Sequence, residues 1–596
     1  MKKAGLLAAG AAALIFTLPA IGQQGPESLL PEGFGDPPPP TPPTTTKPPA
    51  TGPVAPGVTA PIRPGPSSAA EPDEANNEDD EEDEDDEELV IRYDVPPAAR
   101  RSLTAVGIIS EANGGFASDA FGVTKGQFLK QALRRTSAPL ASRWGMIMGR
   151  RLLASRTDTP SGIDGADWTA ERAWLLLRMG DSLVARQLVQ QVDAGRYSKR
   201  LLEVSMEAFL ANGDLAGMCP LTERGVALVG DTRWKISRSI CASLTGDQGN
   251  ATAFLNQGRN QGWMKGVDYL LTEKAVGAGI NGRRSVKIEW ENVTGINAWR
   301  FGLSAATGIG APDRLYAEAG RHIDGWRAQL PMFGAATRVN TAPGAAALGV
   351  LSNRDMVDLY GQVLDDADAA DAARQRAEYL ASTYTAAGDA AKLGAMASLW
   401  EGAKAGADYH AMLVLTARSA ALITPSSDHS GSADRLVASM MTAGLDRSAA
   451  AWGNVVGEGS LGWALIAVGA PRRNAAVQYG PLDDFYGDDS SADGHKSAML
   501  LAGLAGLGRI DAEAQADFGG DLEINITRES NWTRAISAAA DRGESGTVAL
   551  LALAGLQRPD WSSIPPNHLY YIVRSLRQVG LEAEARMIAA EAVTFG

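Results

Sequence analysis

The chain has 596 residues, 45% of them hydrophobic, and a formal net charge of −15. Its five histidines, His322, His410, His429, His495 and His568, never fall two to a helical turn and never form H-E-x-x-H, which excludes a zinc-hydrolase helix. No unit joins a basic stripe to base-stacking aromatics, which argues against nucleic-acid binding.

Met1-Lys2-Lys3 leads an apolar run from Ala4 to Ile21 that closes on the small-x-small triplet Ala20-Ile21-Gly22. This is the pattern of a cleaved secretory signal over 1–22, and with no Cys after the run the lipoprotein route is excluded. No later apolar run is long enough for a bilayer; the best, Ala498 to Leu507, suits a buried helix. The expected location is the periplasm of a Gram-negative bacterium. Residues 23–70 are rich in Pro and Thr and read as a disordered spacer. Residues 71–88 hold fourteen acids and no base, and self-repulsion keeps such a tract solvated. Residues 89–99 are a linker.

Basic N-terminal capping helices are expected over 100–167. Between 100 and 156 the chain carries ten cations, Arg100, Arg101, Lys125, Lys130, Arg134, Arg135, Arg143, Arg150, Arg151 and Arg156, against Glu111 and Asp119. Two readings stand side by side: a site for an anionic cell-wall polymer or lipid headgroup that the acidic tract folds back to mask, or ordinary helix-end arginines beside a solubilising tail. Leu140, Trp144, Ile147, Met148 and Leu152 form an apolar helical stripe in this module.

Over 168–260 the pairs Gly180-Asp181, Gly213-Asp214 and Gly246-Asp247 recur every 33 residues. Four residues after each Asp stands Ala185, Met218 or Ala251, seven after stands Leu188, Leu221 or Phe254, and five before stands Leu176, Phe209 or Ala242. One helix face therefore recurs in register on each side of a turn. The pattern resembles the tetratricopeptide (TPR) repeat, although the closing Pro of that consensus is absent here. Leu380, Ala381, Tyr384, Gly388, Asp389 and Leu393 make a further unit within 261–405, which is otherwise helical but out of period. Residues 406–529 are helical with loops. Trp532, Gly543-Glu544, Val548 and Ala552, then Leu576, Gly580, Ala585, Ala589 and Ala592, carry the resemblance through 530–596. It implies an all-α, superhelical α-solenoid whose units stack on their neighbours. Alternating residues at Ser285–Trp290 and Leu522–Thr527 leave room for one or two β-hairpin insertions.

Cys219 lies eleven residues before Gly230 and Cys241 eleven after it. If the chain turns at Gly230, antiparallel helices bring the two level, so export makes either a disulfide or a pair of buried thiols the expectation.

The motifs that suggest chemistry are all incomplete. Asp428-His429-Ser430 has triad residue types, but sequence neighbours cannot align nucleophile, base and acid. Glu458-Gly459-Ser460-Leu461-Gly462 has Glu where a nucleophile elbow needs Gly. Asp489-Ser490-Ser491-Ala492-Asp493-Gly494 opens like a calcium loop but reaches Leu500 where the bidentate Glu belongs. Gly308-Ile309-Gly310 and Gly494-His495-Lys496-Ser497 lack the residues of a phosphate cradle. Glu529-Ser530 matches the catalytic pair of lytic transglycosylases, yet runs straight into a repeat helix and lacks their downstream Gly-Leu-Met-Gln. No catalytic, cofactor-binding or metal residue is assigned. The expectation is an exported, non-catalytic scaffold for an envelope protein or peptide. The alternative is a peptidoglycan-processing enzyme or accessory with Glu529 as its acid.

Overall fold

A computed structural model describes residue 96 and residues 99–280, 286–472 and 475–596. The expected signal, spacer and acidic tract, 1–88, lie outside the described residues. Twenty-eight α-helices stand among the described residues beside one two-stranded sheet, Ala105–Val106 paired antiparallel with Thr157–Asp158, so the fold is all-α. No helix among them is long and apolar enough to cross a membrane.

The chain opens with α1 (Gly126–Arg135) and α2 (Arg143–Ala154). The 33-residue repeat is then three helix pairs: α3 (Gly165–Arg178) with α4 (Ser182–Val189), α5 (Lys199–Leu210) with a 3-10 turn and α6 (Thr222–Leu228), and α7 (Thr232–Leu244) with α8 (Gln248–Asn260). Each Gly-Asp pair performs the same two tasks. Gly180, Gly213 and Gly246 take left-handed φ values of 83°, 60° and 80°, which glycine adopts without strain. The following Asp N–H then returns to the carbonyl five residues back, at Leu176, Phe209 and Ala242, the return bond of a Schellman cap. The Asp carboxylate meanwhile accepts from a backbone N–H of the next turn, at Val184, Gly217 and Asn250. Ala185, Met218 and Ala251 are fully buried, as the shared face requires. The pairs Asp371–Thr385 with Asp389–Glu401, Asn531–Asp541 with Ser545–Gly555, and Pro566–Gln578 with Glu582–Phe595 repeat the hairpin further on.

Beyond the three pairs come α9 (Gly266–Gly279) and α10 (Ala298–Thr307). Contact between sequence neighbours does not account for the rest. Helix α2 packs on α3, but also on Ser545–Gly555 and Glu582–Phe595, and α1 packs on Ser545–Gly555 as well. The helices that open this folded unit therefore touch those that end it, which units stacked only on their neighbours do not do.

Among the described residues neither candidate hairpin forms. Residues 286–290 and 522–527 alternate in burial without any strand assignment. After the helix Ala512–Asp521, Glu523 takes a φ of 52°, and a second turn follows at Ile526-Thr527 with Ile526 buried. Apolar alternation here records one side resting on helices, with no partner strand.

Candidate functional site

Five helices end around one groove of about 610 Å³. The ends of α5, α7, α9 and α10 line it through Gly213, Leu244, Gly279 and Thr307, and the helix His322–Gln329 contributes Gln329 and the following Leu330 to Met332. From the other side come Leu183 and Arg186 of α4. The walls are largely apolar: Leu183, Leu244 and Met332 are 41%, 45% and 49% exposed, among the large hydrophobic residues most open to water. Such a patch at a concave surface marks an interaction site more often than isolated surface leucines do.

The charged pair of the groove grows out of the repeat. Asp214 caps the turn after Gly213 and accepts from Gly217 N–H at 2.9 Å, which leaves Oδ2 to receive Arg186 Nε at 2.6 Å. Asp181, one unit earlier, is likewise held by Arg150 at 3.1 Å, while Asp247 accepts from backbone and side chain of Asn250. Arg186 uses Nε alone, so both its Nη groups are without a partner among the described residues.

A second charged cluster is internal and saturated. Glu591, buried on Glu582–Phe595, accepts from Ser142 Oγ at 2.6 Å and from the backbone N–H groups of Arg143 and Trp144 at 2.7 and 3.0 Å, capping α2 from the far end of the chain. Arg143 in turn donates to the carbonyls of Ala346, Leu351 and Thr442. Burial pulls the Arg143 guanidinium down to about 10, with Glu591 opposing. Burial pushes the Glu591 carboxyl up against its three donors and Arg143. His410 stacks on Phe595 at 4.4 Å beside this cluster, and burial, with Arg143, pushes it down to about 3. Every donor of Arg143 and both oxygens of Glu591 are bound within the chain, so the cluster fastens helices together and offers nothing to a ligand.

The same internal bonding engages the basic module. Arg134 pairs with buried Glu171 at 2.5 Å, Arg150 with Asp181 and the carbonyls of Leu348 and Gly349, and Arg151 with Glu584 at 2.5 Å. Arg101 anchors on Gln190 O and Asp193. Lys125, Arg135 and Arg156 are exposed. Much of the cationic surplus counted along the sequence is thus committed to carboxylates and carbonyls of the fold.

Cys219 and Cys241 form a disulfide, their Cα atoms 5.4 Å apart, on opposite sides of the turn at Gly230, whose φ is 72°.

The remaining motifs resolve into capping and packing. Glu529 is exposed and faces Arg534 at 3.6 Å, while Ser530 caps the helix Asn531–Asp541 in a capping box with Thr533. Ser460 caps Leu461–Gly469 and donates to Asp434 at 3.0 Å. Asp489 accepts from Ser491 N–H and from both N–H and Oγ of Ser497, and Leu500 is buried. His429 Nε2 lies 4.0 Å from Asp389, and Gly308 is the left-handed cap of α10. His322 meets Trp326 edge-on, His568 packs tilted on Trp532, and His495 bonds Trp561 O. No cluster of three potential metal ligands occurs among the described residues.

No protein family, curated protein or solved structure matches the chain. Sequence reasoning did not find the groove. Its one local signal is Leu244, three residues before Asp247, where the first unit carries Arg178: a large apolar residue that is 45% exposed.

Proposed function

We infer that this chain is an exported, non-catalytic adaptor of the bacterial envelope, an all-α scaffold with TPR-like helix pairs that binds a protein or peptide partner through the groove at the Gly213 turn. The observation that carries the reading is the apolar groove itself, open at Leu183, Leu244 and Met332 and ringed by helix ends. Export rests on the signal pattern of residues 1–22. The partner is assigned to the groove and not to the basic module, because Arg134, Arg143, Arg150 and Arg151 are bonded within the fold. The peptidoglycan alternative draws no support from Glu529, which is exposed and paired with Arg534.

The test is capture of envelope proteins on the purified chain and on Leu244→Arg. One stoichiometric partner retained by the native chain and lost from a Leu244→Arg variant of unchanged helical circular dichroism is the expected result. Equal retention by both overturns the assignment to the groove. Digestion of isolated cell wall that disappears on Glu529→Gln overturns the non-catalytic reading.

A further inference from the structure

We propose that the groove takes an extended peptide stretch in which a Lys or Arg is flanked by aliphatic side chains. This deepens the adaptor reading above and rests on it. Backbone hydrogen bonding decides the form of the occupant first. A helix satisfies its own N–H and C=O groups, whereas an extended chain presents them to the helix ends that ring the groove.

Charge decides the sequence. Arg186 and Asp214 neutralise one another at 2.6 Å. The ends of α5, α7, α9, α10 and His322–Gln329 remain, all of them carboxyl ends, each bearing about half a negative charge on its last carbonyls. Two helical segments begin there, at Ser182 and Ala216, and each is already capped by an aspartate, Asp181 or Asp214. The helix ends therefore add a negative potential, and a side-chain cation is their complement. The hydrogen-bonding groups match as well: an extended chain offers N–H groups to helix-end carbonyls and C=O groups to the unpartnered Nη atoms of Arg186. Leu183, Leu244 and Met332 supply the apolar surface that flanking aliphatic side chains cover. An anionic lipid or fatty acid would satisfy the walls and Arg186 but would face five carboxyl ends, which disfavours it.

Three capped pentapeptides test this on the full chain by isothermal titration calorimetry: acetyl-Ala-Leu-X-Leu-Ala-amide with X as Lys, norleucine or Glu. The expected order is Lys, then norleucine, then Glu, with about tenfold between the charged pair at low salt and a smaller ratio as salt rises. Leu244→Arg, which puts a cation on the wall, is expected to abolish the Lys preference. Leu183→Ala, which keeps the charge pattern, is expected to weaken all three peptides alike. Glu binding as tightly as Lys, tighter binding of oleate than of any peptide, or no peptide binding at all overturns the proposal. If no peptide binds while capture of an envelope protein still depends on Leu244, the adaptor reading stands and this one fails. If the Lys peptide binds while capture ignores Leu244, the reverse holds.

Discussion

Gly213 closes α5 with a φ of 60°, and a Cβ built on it would lie 2.9 Å from Met332 Cε at the groove. A β-branched residue there meets two penalties, the left-handed backbone and the displaced Met332. Gly213→Val is expected to destabilise the protein by about 1–3 kcal/mol in urea titration and to change the groove wall; unchanged stability would show that the turn carries no strain for a side chain. His410 offers a second single-residue test. Its imidazole is held neutral down to about pH 3 by burial and by Arg143 and Arg321, whereas in the unfolded chain it protonates near 6.5. Between those values the unfolded state binds the extra proton, so stability must fall as pH drops below 6.5. The slope is at most about 1.4 kcal/mol per pH unit, reached once the unfolded imidazole is fully protonated. Glu591, the carboxylate beside this cluster, is raised by its own burial and so has the opposite slope, which is why the comparison must be with His410→Phe and not with theory. Denaturation at pH 7.5 and 5.5 is expected to show a smaller acid loss for His410→Phe than for the native chain; equal losses would remove His410 from the acid response.

Among helices, the disulfide joins the two sides of the Gly230 turn and closes a loop with a sequence separation of 22. Removing that closure by Cys219→Ser is expected to cost roughly 3 kcal/mol, and the native protein is expected to expose no alkylatable thiol before reduction; two free thiols in intact exported protein would contradict it. This turn was legible in the sequence because its geometry depends on local spacing alone. The 33-residue period was legible because in three successive units the residue after the turn glycine is an Asp that also caps the next helix. The same five-residue return occurs at Ile309, Val350, Leu445, Arg509 and Leu581, each after a left-handed glycine. There the residue after glycine has no carboxylate to mark it, and the intervals vary, so the middle of the chain reads as out of period although its turns are built alike. The hairpins failed for the opposite reason: period-two burial at 522–527 is visible in sequence, but a partner strand is not.

For the whole folded unit, the decisive contacts join residues hundreds of positions apart, and no local pattern encodes them. Arg143 and Glu591 meet across 448 residues, and Thr124 meets buried Glu544 across 420. The only sequence trace of the first is that Arg143, Ile147 and Arg150 share one helix face, so two cations lie beside the apolar stripe instead of opposite it. Counting them as surface charge was the natural error. Because Glu591 caps α2 while Arg143 bonds the carbonyls of Ala346 and Thr442, the last helix holds the first module in place. Glu591→Ala leaves Arg143 buried without its carboxylate and strips three donors of their acceptor, a change expected to cost about 3–5 kcal/mol. Glu591→Gln keeps an acceptor oxygen and should cost less. Hydrogen exchange separates this fastening from simple local packing: in Glu591→Ala, amides of α2 and of Glu582–Phe595 should lose protection together, while α7, joined to α8 by the Gly246 turn and to the 3-10 turn before α6 by the disulfide, keeps its own. Loss confined to Glu582–Phe595, with α2 still protected, would mean that α2 is held by its immediate neighbours and that the contact between the two ends of the folded unit is incidental to its stability.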